Sequence, residues 1–363
     1  MIEFVFTLDY EIYGNGRGCL KELVHEPTSQ LAELFCRHGA RLVAFVEAAE
    51  FARIEEYQAD PMIGAVRTQV RDLDRAGFEI ALHLHPWWCN ARRQGANWIL
   101  DLSEYNLCTL PPARISAIVS EGIDYLRGLV GRPDFVPTSF RAGNWLLQPT
   151  SAVAPILANA GIRLDSSVFR GGLQHKHGLD YRRAPKGEYF WQFGADVTKA
   201  DPRGMLTEIP IHTQIVPFWR MEAGKRLARG NAFGAAGQSP AGALNRIRDF
   251  LRFRYPLKLD FCRLTAERMI AMMRRVLEVE KRDPGSYKPI VAIGHSKDLT
   301  DFRAVDELLL FLRGNGIAVS TFQDVYPKVV SRDEGLATAG TDHECGAEKM
   351  IGAGKVSGRR SNE

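Results

Sequence analysis

Short apolar runs alternate along this chain with longer stretches whose apolar positions recur every three or four residues. Ile2 to Leu8 has the length of a buried strand, and 27–38 follows with helical spacing. Arg41 to Glu47 predicts a second strand. Residues 62–76 predict a helix with Ile63, Val66, Val70 and Leu73 on one face, and Phe78 to Leu84 a third strand. After an irregular stretch, the pattern predicts a helix over 112–130, a strand over 135–141 and a helix over 149–160. Ile162 to Asp165 and Met205 to Ile211 read as strands, 264–281 as a helix and 289–294 as a strand. A helix around Leu308 then precedes a strand from Ile317 to Thr321. Parallel neighbours need a long crossover, which a helix supplies, so this rhythm predicts an α/β fold with a parallel sheet, open or closed into a barrel.

Two segments break the rhythm. Residues 214–262 hold a Gly/Ala-rich stretch, Gly230 to Gly242, between basic segments read as helical: Arg220, Lys225, Arg226 and Arg229, then Arg246, Arg248, Arg252, Arg254 and Lys258. They form either a solvated insertion or a flap that attracts an anionic substrate or a membrane surface. From about Ser331 the chain is polar and Gly-rich without periodicity, which predicts a disordered tail over 331–363. The domain expected is therefore 1–330, with an insertion at about 214–262.

Composition narrows the class. The chain has 363 residues, 45% hydrophobic and 25% charged, enough apolar material for the core of one α/β barrel. A net charge of +4, with basic residues spread among 43 acidic ones, does not suggest a nucleic-acid binder. Met1 leads directly into the first apolar run, without a basic and then apolar leader, and no window has the length and polarity of a bilayer span. The expected location is the cytoplasm. The six cysteines are scattered with no C-x-x-C pair, so free thiols are expected.

In parallel α/β sheets ligands bind at the carboxyl ends of the strands. The first strand ends Thr7-Leu8-Asp9-Tyr10-Glu11, two carboxylates at i and i+2 whose mutual repulsion a cation or proton would relieve. The third ends His83-Leu84-His85-Pro86-Trp87-Trp88, and two histidines at i and i+2 on a strand can bind one transition metal. His175 and His177 repeat the spacing, but in a polar glycine-flanked loop that reads as ordinary surface. Further strand ends supply Arg141-Ala142-Gly143-Asn144-Trp145, Asp165-Ser166-Ser167, His212, and His295-Ser296-Lys297-Asp298. Each is explicable alone, Arg141 as a surface ion pair and His212 as a core residue. Their gathering at one face of a barrel is the signal.

In order and spacing these segments resemble the polysaccharide-deacetylase superfamily (NodB homology, carbohydrate esterase family 4) over roughly residues 1–330. Five motifs carry the resemblance: Thr7 to Glu11; Gly77-Phe78-Glu79-Ile80 with His83; Phe140 to Trp145; Gly161 to Ser167; and Ile290 to His295. Two departures stand out. Tyr10 separates the first-motif acids, which are more commonly adjacent aspartates. Trp87 stands where the usual His-x-x-x-His would place its second histidine, giving a His-x-His-Pro variant.

The resemblance implies an irregular seven-stranded β/α barrel and a hydrolase that removes an N-acyl group, acetyl by family habit, from an amino sugar. It implies one divalent ion, zinc with cobalt, manganese or nickel as alternatives, held by Glu11, His83 and His85. Asp9 would be the general base, Arg141 its partner and His295 the general acid. In a second assignment Asp9 itself ligates. Trp87, Trp88, Asn144, Trp145 and Asp165 would meet the sugar. A cytoplasmic member would act on a nucleotide- or lipid-linked precursor of a surface polysaccharide, with the basic insertion offering peripheral membrane contact. Oligomeric state is not legible. Two rival readings are an allantoinase-like amidohydrolase, which lacks here the expected bridging lysine, and a glycan-binding pseudoenzyme.

Overall fold

The computed structural model describes residues 1–217 and 254–330. The Gly/Ala-rich stretch, the arginines from Arg220 to Arg252 and the expected tail lie outside the described residues.

The first strand, β1 (Ile2–Tyr10), is buried at all nine positions. A strand covered on both faces should read as an unbroken apolar run, as its sequence does. It leads through α1 (Glu26–Arg37) to β2 (Val43–Glu47), then α2 (Ala48–Glu56), α3 (Ile63–Arg75) and β3 (Glu79–Leu84). The chain continues through α4 (Pro112–Val130), β4 (Ser139–Ala142), α5 (Val153–Asn159) and β5 (Leu164–Asp165). Next come β6 (Trp191–Phe193), β7 (Leu206–Glu208) and the paired strands β8 (Thr213–Pro217) and β9 (Arg254–Lys258). Finally α6 (Ala266–Arg282), β10 (Lys288–His295), α7 (Phe302–Gly314) and β11 (Ala318–Val319) follow.

Parallel pairing runs β7-β5-β4-β3-β2-β1-β10. Ile211, just beyond β7, closes the ring through parallel bridges to Phe169 after β5 and to Val291 in β10. At this seam Ile211 N donates to Val168 O and His212 N to Val291 O, each at 2.9 Å. Seven parallel strands therefore form a closed barrel, the architecture expected. β6 adds antiparallel to β7, and β11 lies beside Glu3 and Phe4, the part of β1 that β2 does not reach. The helices turn their apolar faces to the sheet: Ile63, Val66, Val70 and Leu73 of α3 are all buried.

Two elements differ from the sequence expectation. α2 starts at the end of β2, where the Glu47 side chain caps it by accepting from Glu50 N. Arg254 and Lys258, expected in basic helical material, lie in β9, paired antiparallel with β8. Pro256 at the centre of β9 lacks the N–H an interior helix position needs, and Tyr255 favours an extended chain.

Candidate metal centre

Register builds the site. Asp9 pairs with His295 across β1 and β10, while Glu47, His83 and Arg141 align across β2, β3 and β4. Asp9 pairs with Phe45 across β1 and β2, so the two rows are offset by two residues, and both lie toward the carboxyl ends of the strands. Glu11 and His85 lie just past their strands, and both are buried.

Asp9 is held by two cations or potential cations. Arg141 Nη1 donates to its Oδ1 at 2.5 Å, and His295 Nε2 lies 3.3 Å from its Oδ2. The remaining Arg141 donors go to Ser166 O at 2.8 Å, Thr7 Oγ1 at 2.9 Å and Ser166 Oγ at 3.3 Å. Its guanidinium also lies 4.1 Å from the Phe45 ring centre. Burial pushes the Asp9 carboxyl up, but Arg141, His83 and His295 outweigh it and hold the group below its ordinary value. The result is a carboxylate that stays ionised although only 2% exposed.

The Glu11, His83 and His85 donor atoms lie within 4.8 Å of one another. His83 Nδ1 lies 2.8 Å from the Arg141 carbonyl, to which it can only donate, so the other nitrogen, Nε2, is left to face Glu11. Glu11 Oε2 is buried and receives no hydrogen bond, although the Nε2 atoms of His85 and His83 stand 3.1 and 3.6 Å away. Donor atoms in a tetrahedral zinc shell are about 3.4 Å apart, so these residues fit a divalent cation. Burial pulls His83 down, yet Asp9 and Glu11 push its imidazole up to about 9; burial pulls His85 down to about 4. A second group, Asp9, Glu11 and His295, meets the same distance limit. In that group Asp9 already has its Oδ1 engaged by Arg141, whereas His83 and His85 both turn Nε2 toward the Glu11 Oε2 that receives no hydrogen bond, which favours the first.

Four contributors were not singled out from sequence. Lys297 Nζ donates to Glu11 Oε1 at 2.7 Å and leaves Oε2 to the histidines. Glu47 accepts from His85 N at 2.6 Å and from Glu50 N, while Glu50 accepts from Ile12 N at 2.8 Å. These two buried carboxyls fix the backbone on which His85 and Glu11 stand. Burial pushes Glu47 up to about 8, so it carries its proton over much of the neutral range. Lys258, at the end of β9, lies over Trp145. Two local signals existed: Glu47 ends its strand, and Lys297 follows His295 at the i, i+2 spacing of the other pairs.

The expected sugar-facing residues divide. Trp145 is partly exposed, sits edge-on to His295 with centroids 6.1 Å apart, and has φ of +61°. Asn144, with φ of +51°, donates to Tyr105 Oη at 3.0 Å. Two successive non-glycine residues in this region cost roughly 1–3 kcal/mol each, a strain that clusters at functional sites. Trp87 is buried, its faces occupied by His85 at 4.3 Å and Tyr105 at 4.7 Å, and Trp88 packs wholly inside against Trp98. Asp165 is fully buried and turns its oxygens to Ser167 N and Oγ, each at 2.9 Å. His175 is exposed; His177 stacks on Tyr105, with rings 4.2 Å apart, away from the metal group. His212 is half-buried, and desolvation pulls its imidazole down to about 4, so it is neutral. The five described cysteines form no disulfide, and no described helix is long and apolar enough to cross a membrane.

No protein-family model matches the chain, and no curated protein sequence does. Solved structures do match. One from Mycobacterium smegmatis, named as a polysaccharide deacetylase, superposes with a TM-score of 0.52 at 15% identity, covering 91% of each chain. Another from Pseudomonas aeruginosa PAO1, named likewise, gives 0.46 at 14% identity over 89% of each. A family 4 carbohydrate esterase from Streptomyces lividans, solved with acetate, gives 0.40 at 11% over 88% of this chain and 91% of that one. The first of these, together with the closed seven-stranded ring, places this chain in the polysaccharide-deacetylase fold.

Proposed function

We propose that the protein is a metal-dependent hydrolase that removes an acyl group, acetyl in the first instance, from the nitrogen of an amino sugar. The observation that carries this reading is the pairing of an ionised buried carboxylate, Asp9, with an adjacent Glu11/His83/His85 donor set. When bound there, a divalent ion lowers the pKa of water and polarises a carbonyl. Asp9 takes the proton of the attacking water, and Arg141 keeps the carboxylate ionised and aimed. His295 stands 3.3 Å from the same carboxylate and gives a proton to the departing amine, without which amine expulsion is slow. Burial holds the His295 imidazole below its ordinary value, and the carboxylates of Asp9 and of Asp298, whose Oδ2 lies 4.0 Å from Nδ1, offset that only in part. Trp145 beside His295 bounds the sugar, Asn144 fixes that turn, and Trp87 backs His85. Asp165 acts from below by holding the Ser166–Ser167 segment that carries Arg141. Nucleotide- or lipid-linked precursors of a surface polysaccharide, handled in the cytoplasm, form the substrate class within this reading.

Acyl release from a panel of N-acetylated sugars, free, nucleotide-linked and lipid-linked, tests it. Acetate release that chelation abolishes and Zn, Co, Mn or Ni restores is expected. Release of formate in place of acetate would make it a deformylase, and release of neither, with metal bound, would refute the reading.

A further inference from the structure

Cations at the barrel mouth are paired in all but one described case. Arg141 is bound to Asp9, Lys297 to Glu11 at 2.7 Å, and Arg263 to Asp298 at 2.5 Å. Lys258 has, among the described residues, no carboxylate or carbonyl within hydrogen-bonding distance. Its Nζ lies 3.0 Å from the centre of the Trp145 ring and 4.7 Å from that of Phe169. Asp260, the acid nearest in sequence, is engaged elsewhere: its Oδ1 accepts from Cys262 N at 3.0 Å and Arg263 N at 3.1 Å, and Oδ2 faces Arg263 Nε at 3.8 Å.

A lysine that merely covers an aromatic ring lays its methylene stem there and turns the ammonium to water. Here the ammonium itself sits on the indole. Ring faces offset only part of the lost hydration, because a ring supplies no hydrogen-bond acceptor. Burial accordingly pulls Lys258 down to about 7 despite the nearby Asp260 and Asp9 carboxylates. An incoming anion would supply the missing acceptor. Position says where on the substrate that anion lies: one indole separates the ammonium from the His295 imidazole, so the two groups can meet the same sugar.

We propose that Lys258 is a specificity residue that binds an anionic substituent, phosphate or carboxylate, on the sugar whose acylated nitrogen reaches Asp9 and His295. This rests on the deacylase reading for the identity of the reaction, but not for the binding itself. Binding of N-acetylglucosamine 1-phosphate, its 6-phosphate, N-acetylmuramic acid and uncharged N-acetylglucosamine to the metal-loaded protein is measured by calorimetry at pH 6.5. One or more anionic sugars should bind about tenfold or more tighter than the uncharged one. In Lys258→Met, which keeps the stem over Trp145, that preference should fall towards one, and Lys258→Arg should retain most of it. Which of the three anionic ligands shows the effect identifies the group and its position. A preference that survives Lys258→Met in a protein with an unchanged melting profile overturns the proposal, as does wild-type protein that ignores charge. Lys258-dependent anion binding without acyl release from any sugar would uphold this inference while refuting the deacylase reading.

Discussion

His83 carries a consequence that the other proposed ligands do not. Its imidazole is pushed up to about 9 before any metal binds, whereas His85 is pulled down to about 4 and is already neutral at pH 7. Since Nε2 must lose its proton to ligate, metal affinity is opposed by protonation at every pH below about 9. The expected result is an apparent affinity that rises about tenfold per pH unit from pH 6 to 8, with one proton released per ion bound. Titration calorimetry in buffers of different ionisation enthalpy measures both, and an affinity flat over that range would place His83 outside the ligand set. At this scale much of the site could be read in the sequence. Asp9 with Glu11 and His83 with His85 share a strand face at i, i+2, and Arg141 and His295 end apolar runs. Asp165 and Trp87 carried the same strand-end signal but turn inward, because a strand end alone does not say whether a side chain leaves the core or completes it. Lys258 was read only as one of a run of basic residues that could attract an anion, because its neighbours, Trp145 and Phe169, are distant in sequence and meet it only through the fold.

The turn after β4 is the element on which the site most depends. Gly143 passes so close to β3 that an added Cβ would fall 2.5 Å from His85 Nδ1 and 2.6 Å from Leu84 O. Neither neighbour can retreat, since one is backbone and the other belongs to His85, a proposed ligand whose main-chain N–H is held by Glu47. Gly143→Ala should therefore cost about 1–3 kcal/mol of stability through overpacking. It should also weaken metal binding, because relief of the clash moves the His85 ring. Chemical denaturation with and without added metal separates the two effects; wild-type stability and metal affinity together would show that the approach is looser than described. Elements with a strong period were legible, β1 and α3 most clearly. α2 was not, because it abuts β2 without a loop and its start depends on a cap, Glu47, that the pattern assigned to the strand. β9 was hidden by its arginine and lysine, residues common on helices, while Pro256 and Tyr255 decide for an extended chain.

Across the whole molecule, barrel closure turns separate strand ends into one site. Without the Ile211 bridges to Phe169 and Val291 the ring would be open between β7 and β10. The seam also carries β8 and β9, which bring Lys258 over the mouth. That closure was not legible in the pattern, because a parallel sheet with flanking helices reads the same open or closed, and the choice came through family resemblance. Within the closed ring the central claim is a division of labour between two carboxylates two residues apart: Asp9 handles a proton, Glu11 a metal. The pair is ordered by its cations, Arg141 on the first and Lys297 on the second. Metal content of Asp9→Asn, measured beside its acyl-release rate, tests this most directly. Asparagine keeps the shape and the bond from Arg141 but cannot take a proton, so about one ion per chain should remain while turnover falls at least about a hundredfold. A variant that folds but loses its metal would contradict the account and make Asp9 a ligand.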